Sequence, residues 1–149
     1  MNLSRHKEKF PSEIAEYFDS HWEKHELWKL NPPRSVLPIS TLEWHLDFPF
    51  WSVKPPGPVF DLTPRAVLDN PQKHPRHWAR IVAADLSFPV DVGRFGGQLV
   101  ILDGLHRLAK AAHSGVTEME CRIVPKQHIR VATCRSKGAP LSPAAHPGR

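Results

Sequence analysis

The sequence predicts a compact α+β domain, and three observations support that fold class. Short apolar runs of strand length, such as residues 99–102, alternate with segments of helical periodicity. Proline marks a helix start at two positions, Pro64 and Pro75. The chain has 149 residues, 40% of them hydrophobic, which is enough for one domain with its own core.

A first helix is predicted over residues 12–30. Glu13 lies in its first turn, and Ile14, Phe18 and Trp22 follow at i, i+4 spacing. Two prolines at 32 and 33 end it. We therefore expect residues 1–33 to form a helical extension ahead of a main domain at 34–133.

The next segment predicts a short strand, a short helix and a loop. Residues 36–39 form the strand, which Pro38 favours at a sheet edge. Ser40 and Glu43 have the spacing of a capping box for a helix reaching about Leu46. Residues 48–58 are rich in proline and aromatic side chains, so we expect an irregular loop packed against the core.

The second half of the chain predicts the main elements of the domain. Thr63 before Pro64 is typical of an N-cap, and Pro75 starts a further helix. Gly115 is a suitable C′ residue for a helix that begins after Gly104. The predicted helices cover 64–69, 75–84 and 105–113; the predicted strands cover 88–92, 98–102 and 119–124, the first two joined by a turn at 96–97. Residues 134–149 are predicted to be a disordered tail.

The net charge of +5 is concentrated at the two ends. Residues 1–9 and 135–149 contain six basic side chains and one acidic side chain, and 14 of each sign remain between them. The central body is therefore neutral, which argues against DNA as the favoured partner.

Cellular location and redox state follow from simple features. The N-terminal residues lack the apolar segment of a signal peptide, and no apolar run approaches a membrane span. We expect a cytoplasmic protein without a membrane partner. Cys121 and Cys134 are the two cysteines of the sequence; Cys121 is predicted to be a core residue, and we expect no disulfide.

Residues 99–112 contain the strongest functional signal. The apolar run breaks at Asp103-Gly104, and helix-forming residues follow at once, so Gly104, His106 and Arg107 lie at a strand-to-helix junction. Anions bind at helix N-termini, glycine permits close approach, and arginine grips phosphate through two hydrogen bonds. The pattern predicts a phosphate-binding loop; an ordinary turn with surface side chains is the alternative.

The sequence Asp103-Gly104-Leu105-His106-Arg107, followed by Ala111 and Ser114-Gly115, resembles the signature of the ParB/sulfiredoxin superfamily. In that superfamily the loop reads Gly-Glu-Arg-Arg in ParB proteins, which hold CTP, and Gly-Cys-His-Arg in sulfiredoxins, which hold ATP. Free-serine kinases have Asp-Gly-His-His-Arg and hold ADP. This chain is closest to the kinase form. The resemblance spans about 34–131 and implies a small mixed sheet with surrounding helices.

The chemistry of the loop residues, and of Asp85 at the position of a ParB glycine, suggests a role for each at a phosphate site. Gly104, His106 and Arg107 are the expected nucleotide-binding residues, and Asp103, His106 and Asp85 are the expected catalytic residues. Asp103 or Asp85 could act as a general base or hold Mg²⁺; a cap for Asp103 and a turn for Asp85 are the alternatives.

Two departures from the superfamily narrow the expected chemistry. The sulfiredoxin cysteine falls on Leu105, which excludes that redox chemistry. The ParB glutamine that reads cytosine falls on Phe88, so ADP or ATP is favoured over CTP.

Three functions are compatible with these residues. The favoured one is a small nucleotide-dependent phosphotransferase or hydrolase, with a small-molecule acceptor at the aromatic loop. The second is a DNA-associated ParB-like partition, regulatory or nuclease-type protein, although the 25 residues after the last predicted strand are too rich in proline and glycine for a helix-turn-helix. The third is a non-catalytic nucleotide-binding module.

Histidines and tryptophans give weaker signals. His21 and His25 would lie one turn apart on the predicted first helix, but no third ligand is near, so we predict no metal site. The five tryptophans are expected to pack in the core or the loops.

Overall fold

The computed structural model describes residues 8–54 and 60–131, which fold around a mixed sheet. The strands are β1 (Ser20–His21), β2 (Arg34–Pro38), β3 (Val90–Phe95), β4 (Gln98–Asp103), β5 (Glu118–Ile123) and β6 (Arg130–Val131). The α-helices are α1 (Ala15–Phe18), α2 (Lys24–Lys29), α3 (Pro64–Asp69), α4 (Pro75–Ala83) and α5 (Leu105–His113). Single 3-10 turns connect several of them.

The main sheet has the order β2-β5-β3-β4. The two outer pairs, β2 with β5 and β3 with β4, are antiparallel, whereas β5 and β3 are parallel. Strands β1 and β6 form a separate antiparallel pair. The predicted α+β class with a small mixed sheet is therefore confirmed, and β2 is an edge strand as Pro38 indicated.

Apolar side chains cover the sheet on both faces, because β4 contributes alternate residues to two clusters. Leu99 and Ile101 pack with residues of helices α3, α4 and α5, whereas Val100 and Leu102 pack with the N-terminal segment. The second cluster consists of Phe10, Ile14, Tyr17, Phe18, Leu27, Phe95, Val100, Leu102, Val124 and Ile129. The N-terminal residues thus supply one of the two layers that enclose the sheet.

Local sequence signals in the second half of the domain are confirmed. Gly96 and Gly97 have φ of 55° and 81° and close the two-residue turn between β3 and β4. Thr63 Oγ1 accepts a hydrogen bond from the N–H of Ala66 at 3.1 Å, so it caps α3. At the end of α5, Gly115 has φ of 75°, and the next N–H reaches back to the carbonyl of Ala111 at 3.0 Å.

The continuous helix predicted over 12–30 is wrong. A 3-10 turn (Ser12–Ile14) leads into α1, the chain extends as β1, and α2 follows. Tertiary partners override the helical spacing, since Ser20 pairs with Val131 in β1–β6 and the Trp22 indole donates to the carbonyl of Leu102 at 3.1 Å. The intervening Asp, Ser and His residues also have low helix propensity.

The capping box predicted at Ser40 and Glu43 is also wrong. The segment forms two 3-10 turns, Ile39–Thr41 and Glu43–Asp47, and neither has a side-chain cap. Burial of Ile39 and Leu42 in the core holds the backbone in this tighter form.

The loop predicted at 48–58 packs against the core where it is described, since Trp51 is buried and forms a bridge with Leu62. The predicted tail at 134–149, with Cys134, and residues 55–59 lie outside the described residues. Cys121 is buried as predicted. Within the described ranges, none of the helices has the length and apolar character needed to cross a membrane.

Candidate functional site

The loop between β4 and α5 turns at Gly104, the N-cap of the helix. Its φ is +114°, and an added Cβ would lie 3.1 and 3.2 Å from the two methyl groups of Val90. The dihedral angle therefore favours glycine, and the tight contact with Val90 adds to the cost of any other residue. No side chain caps the first turn of α5, and residues 104–107 line the space in front of the loop.

That space is a cavity of about 510 Å³. Three cationic side chains line it, Lys24, Arg80 and Arg107, whereas Asp103 is its one carboxylate among the described residues. Aromatic side chains form another part of the wall: Tyr17, Phe50 and Trp51. A helix N-terminus with three nearby cations is a favourable environment for an anion.

Asp103 is held by three partners and does not cap α5. Its Oδ2 accepts hydrogen bonds from Trp28 Nε1 at 2.8 Å and from Arg107 Nη2 at 3.3 Å. Lys24 Nζ lies 3.5 Å from the other oxygen. Asp103 therefore does not act as the cap that was the alternative to a catalytic role. The carboxylate instead ties the loop to α2 and balances two of the cations at the cavity.

Arg107 joins two parts of the site. Its Nη1 donates to the carbonyl of Pro89, immediately before β3, and its Nη2 donates to Asp103. The guanidinium is thus oriented by the protein itself and still lines the cavity. A preorganised arginine loses less conformational entropy when it binds phosphate than a mobile one does.

His106 belongs to a stack of three aromatic rings. Trp51 lies nearly parallel to His106, with ring centroids 4.3 Å apart, and to His77, at 4.7 Å. His106 Nε2 is 3.4 Å from His77 Nδ1, and His77 Nε2 is 2.8 Å from the carbonyl oxygen of Ser52. The two imidazoles therefore form a hydrogen-bonded chain that ends on the backbone.

The carbonyl of Ser52 at the end of this hydrogen-bonded chain determines which imidazole nitrogen donates in each bond. A carbonyl can only accept, so His77 Nε2 carries the proton, and neutral His77 offers Nδ1 as an acceptor. His106 must then donate from Nε2, which places a lone pair on its Nδ1. Burial lowers the pKa of His77, and burial together with Arg80, His77 and Lys24 lowers the pKa of His106 to about 3. Both rings are neutral at pH 7.

Asp85 does not line this cavity. Its Oδ1 accepts hydrogen bonds from the N–H of Ser87 at 2.9 Å and from the hydroxyl at 2.6 Å, which closes a turn. These two bonds lower the pKa of the fully exposed Asp85 carboxyl. The structure places Asp85 in a separate groove, which shares Arg107 with the cavity.

The sequence did not single out four residues of this site. Lys24 and Arg80 lie on helices whose register with the loop depends on tertiary packing. His77 and Trp51 carry no local motif; proximity to His106 in space is what gives them significance. His21 lies in β1 and His25 in α2, so they do not share a helix face, and no described group of three or more His, Cys, Asp or Glu residues is placed to hold a metal ion.

Comparison with family models, curated proteins and solved structures finds no match to this chain. The relationship to the ParB/sulfiredoxin superfamily therefore stays a prediction that rests on the loop residues, and the geometry of the cavity carries the functional argument.

Proposed function

We propose that the chain binds the phosphate groups of a nucleotide at the N-terminus of α5 and acts as a small phosphotransferase or hydrolase. The observation that carries this proposal is the meeting of an uncapped helix N-terminus with Lys24, Arg80 and Arg107 in one cavity. Backbone N–H groups and cations together suit a polyanion such as a diphosphate or triphosphate.

The cavity also suits the rest of a nucleotide. Its volume of about 510 Å³ lies within the range of small-molecule sites, and its aromatic walls offer flat surfaces for a base. The loop sequence supports ADP or ATP over CTP, because Phe88 stands where the superfamily's cytosine-reading glutamine would be. Phe88 also lies outside the cavity lining.

His106 suits an orienting role better than a charged one. Phosphoryl transfer depends mostly on positioning and on charge neutralisation, so a strong base is not required. The Nδ1 lone pair of His106 can accept the hydrogen bond of an attacking hydroxyl or water. In the transfer, that oxygen bonds to phosphorus, the phosphorus–oxygen bond to the nucleotide breaks, and the leaving oxygen keeps the electron pair. The proton of the attacking oxygen passes to solvent, because His106 with a pKa of about 3 does not retain it at pH 7.

Asp103 does not suit a protein-held Mg²⁺. Oδ2 already accepts two hydrogen bonds, and a metal at Oδ1 would compete with Lys24. The Asp103 carboxylate therefore stabilises the loop. The proposed transfer does not include a metal ion bound by Asp103.

The binding test is calorimetry with ADP, ATP, CTP and inorganic phosphate, each with and without Mg²⁺. Arg80 is exposed and lies on α4, so Arg80→Ala leaves the core unchanged. We expect Arg80→Ala to weaken ADP or ATP binding by about tenfold, the loss of one charge-assisted contact. Arg76→Ala, one turn earlier on the same helix and outside the cavity lining, is the matched control and should change Kd by less than about twofold.

Each outcome of this test is informative. The absence of binding for all four ligands contradicts the proposal. Equal losses for Arg80→Ala and Arg76→Ala would show general attraction of anions rather than a site. If ATP binds but is neither hydrolysed nor used to phosphorylate any added hydroxyl compound, the result would support the nucleotide-binding site and contradict the enzymatic activity.

A further inference from the structure

A second cavity, of about 590 Å³, lies on the other side of Arg107. We name it the arginine groove; its lining includes Trp28, Phe88, Arg34, Arg107 and Arg122. Trp28 is 54% exposed and Phe88 is 62% exposed. Two large aromatic side chains exposed at one cavity indicate a contact surface rather than a packing position.

The side chain of Trp28 and the backbone of Phe88 are held in place although both residues face solvent. The Trp28 indole donates to the buried carboxylate of Asp103 at 2.8 Å, which fixes the orientation of the ring. Phe88 follows the turn that Asp85 closes, and its N–H reaches the carbonyl of Asp85 at 3.3 Å. Aromatic walls that are ordered before binding cost little entropy when a ligand arrives.

The arginine side chains provide more hydrogen-bond donors than their protein partners use. Each guanidinium has five N–H groups. Arg34 donates a hydrogen bond from Nη1 to Glu120, and Arg122 donates one from Nη2 to the carbonyl of Leu27. Arg107 donates from Nη1 to the carbonyl of Pro89 and from Nη2 to Asp103. The groove therefore has a surplus of donors.

Each of the three arginines already forms an ion pair with a carboxylate, Arg34 with Glu120, Arg107 with Asp103 and Arg122 with Asp91. The groove therefore offers a ligand unused N–H donors rather than an excess of positive charge. Asp91 is buried and forms an ion pair with Arg122, with 2.9 Å between Oδ1 and Nε. Asp85 accepts both hydrogen bonds that Ser87 donates, and the cations Lys110 and Arg107 lie near its carboxylate.

We propose that the arginine groove binds a small planar aromatic molecule that carries a carboxylate or a similar anionic group. The ring lies against Trp28 and Phe88, and the anionic group accepts hydrogen bonds from Arg34 and Arg122. This goes beyond nucleotide binding, since it requires neither a phosphate nor the helix N-terminus. Because Arg107 lines both cavities, an occupant of the groove would lie beside the proposed phosphate site.

The test uses two fluorescent probes of the same shape, anilinonaphthalene sulfonate and its uncharged analogue phenylnaphthylamine. Each is titrated into the full-length protein and three variants: Phe88→Ala, Arg34→Gln and Val82→Ala. Val82 is the control, because it is 54% exposed and lies outside the groove lining. All three changes affect exposed side chains, and circular dichroism checks that each variant is folded.

The sulfonate probe should bind the wild-type protein at one saturable site. Phe88→Ala should weaken both probes by about fivefold through the lost ring contact. Arg34→Gln should weaken only the sulfonate, by about threefold or more, and Val82→Ala should change neither. An unchanged affinity for Phe88→Ala overturns the site, and equal effects of Arg34→Gln on both probes overturn the anionic class of ligand. Arg80→Ala tests the phosphate proposal independently of the groove, because Arg80 does not line the groove.

Discussion

Gly104 shows how a single residue can be fixed by two constraints at once. Its φ of +114° is costly for any L side chain, and an added Cβ would lie 3.1 and 3.2 Å from the methyl groups of Val90, closer than an ordinary contact. The glycine was expected because a phosphate would approach it; the structure adds that the sheet favours it even without a ligand. The loop conformation is therefore established before binding.

Replacing Gly104 by alanine should separate these two constraints. We expect Gly104→Ala to lower the free energy of unfolding by about 2–3 kcal/mol, from the strained φ together with the contact at Val90. Gly97→Ala is the control, because Gly97 also has positive φ, +81°, and an added Cβ meets nothing within 4 Å. It should cost about 1 kcal/mol. Urea unfolding of both variants measures the difference, and equal losses would contradict a packing role for Val90.

His106 and His77 show what the sequence could not reveal at the residue scale. A histidine beside a phosphate-binding loop is expected to carry charge for part of the time, because its ordinary pKa is near 6.5. Burial under Trp51 and nearby cations hold the pKa of His106 at about 3 instead. The relevant neighbours are 29 and 55 residues away in the chain, and no local pattern indicates them.

At the scale of elements, prediction succeeded where local chemistry decides the structure and failed where distant partners decide it. Helix α5 and its glycine stop, the cap at Thr63 and the turn at Gly96 each depend on residues within one turn of the chain. The N-terminal segment does not. Its apolar spacing suits a helix, but Trp22 bonds to β4 and Ser20 pairs with β6, so the helix breaks between Phe18 and Lys24.

Two backbone groups of β4 are hydrogen-bonded by side chains rather than by another strand. His45 Nδ1 donates to the carbonyl of Leu42 at 2.8 Å, and its Nε2 accepts from the N–H of Ile101 at 3.0 Å. Trp22 satisfies the carbonyl of Leu102. These two groups are therefore paired without a further strand.

These hydrogen bonds predict that the free energy of unfolding depends on pH through the protonation of His45. Burial lowers the pKa of His45 to about 4, and the ring must be neutral to accept from Ile101. As the pH falls below about 6.5, the unfolded state takes up the proton first, so the contribution to stability is complete above pH 6.5 and is lost towards pH 4.

Urea unfolding between pH 7.5 and pH 5 measures this linkage. The wild-type free energy of unfolding should fall over that range, with a contribution from His45 that approaches about 1.4 kcal/mol per pH unit. His45→Gln keeps an acceptor for Ile101 but does not titrate, so its pH slope should be smaller by that contribution. A slope equal to that of the wild type would mean that His45 is not neutral in the folded protein.

At the scale of the whole molecule, the sheet is the common wall of two apolar clusters. The sequence suggested a main domain at 34–133 with a helical extension before it. In the structure the first residues pack on the sheet through Phe10, Ile14 and Phe18, and β1 pairs with β6. Lys24 reaches the cavity from the same segment, so the N-terminal region helps to build both the fold and the candidate site.

A matched pair of substitutions tests whether both clusters belong to one cooperative unit. Ile14 is fully buried in the N-terminal cluster, and Ile81 is 1% exposed in the helical cluster on the opposite face. Each isoleucine-to-alanine change removes the same atoms and should cost about 2–5 kcal/mol. If the sheet couples the two faces, Ile14→Ala and Ile81→Ala will each shift a single transition, seen at the same urea concentration by tryptophan fluorescence and by circular dichroism. An early fluorescence transition in Ile14→Ala alone, with the remaining structure intact, would instead show that the N-terminal layer unfolds independently, as an extension would. Helix α2 supplies Lys24 and also Trp28, which donates a hydrogen bond to Asp103. The cooperative result therefore also requires that loss of this layer disrupt the loop at Gly104.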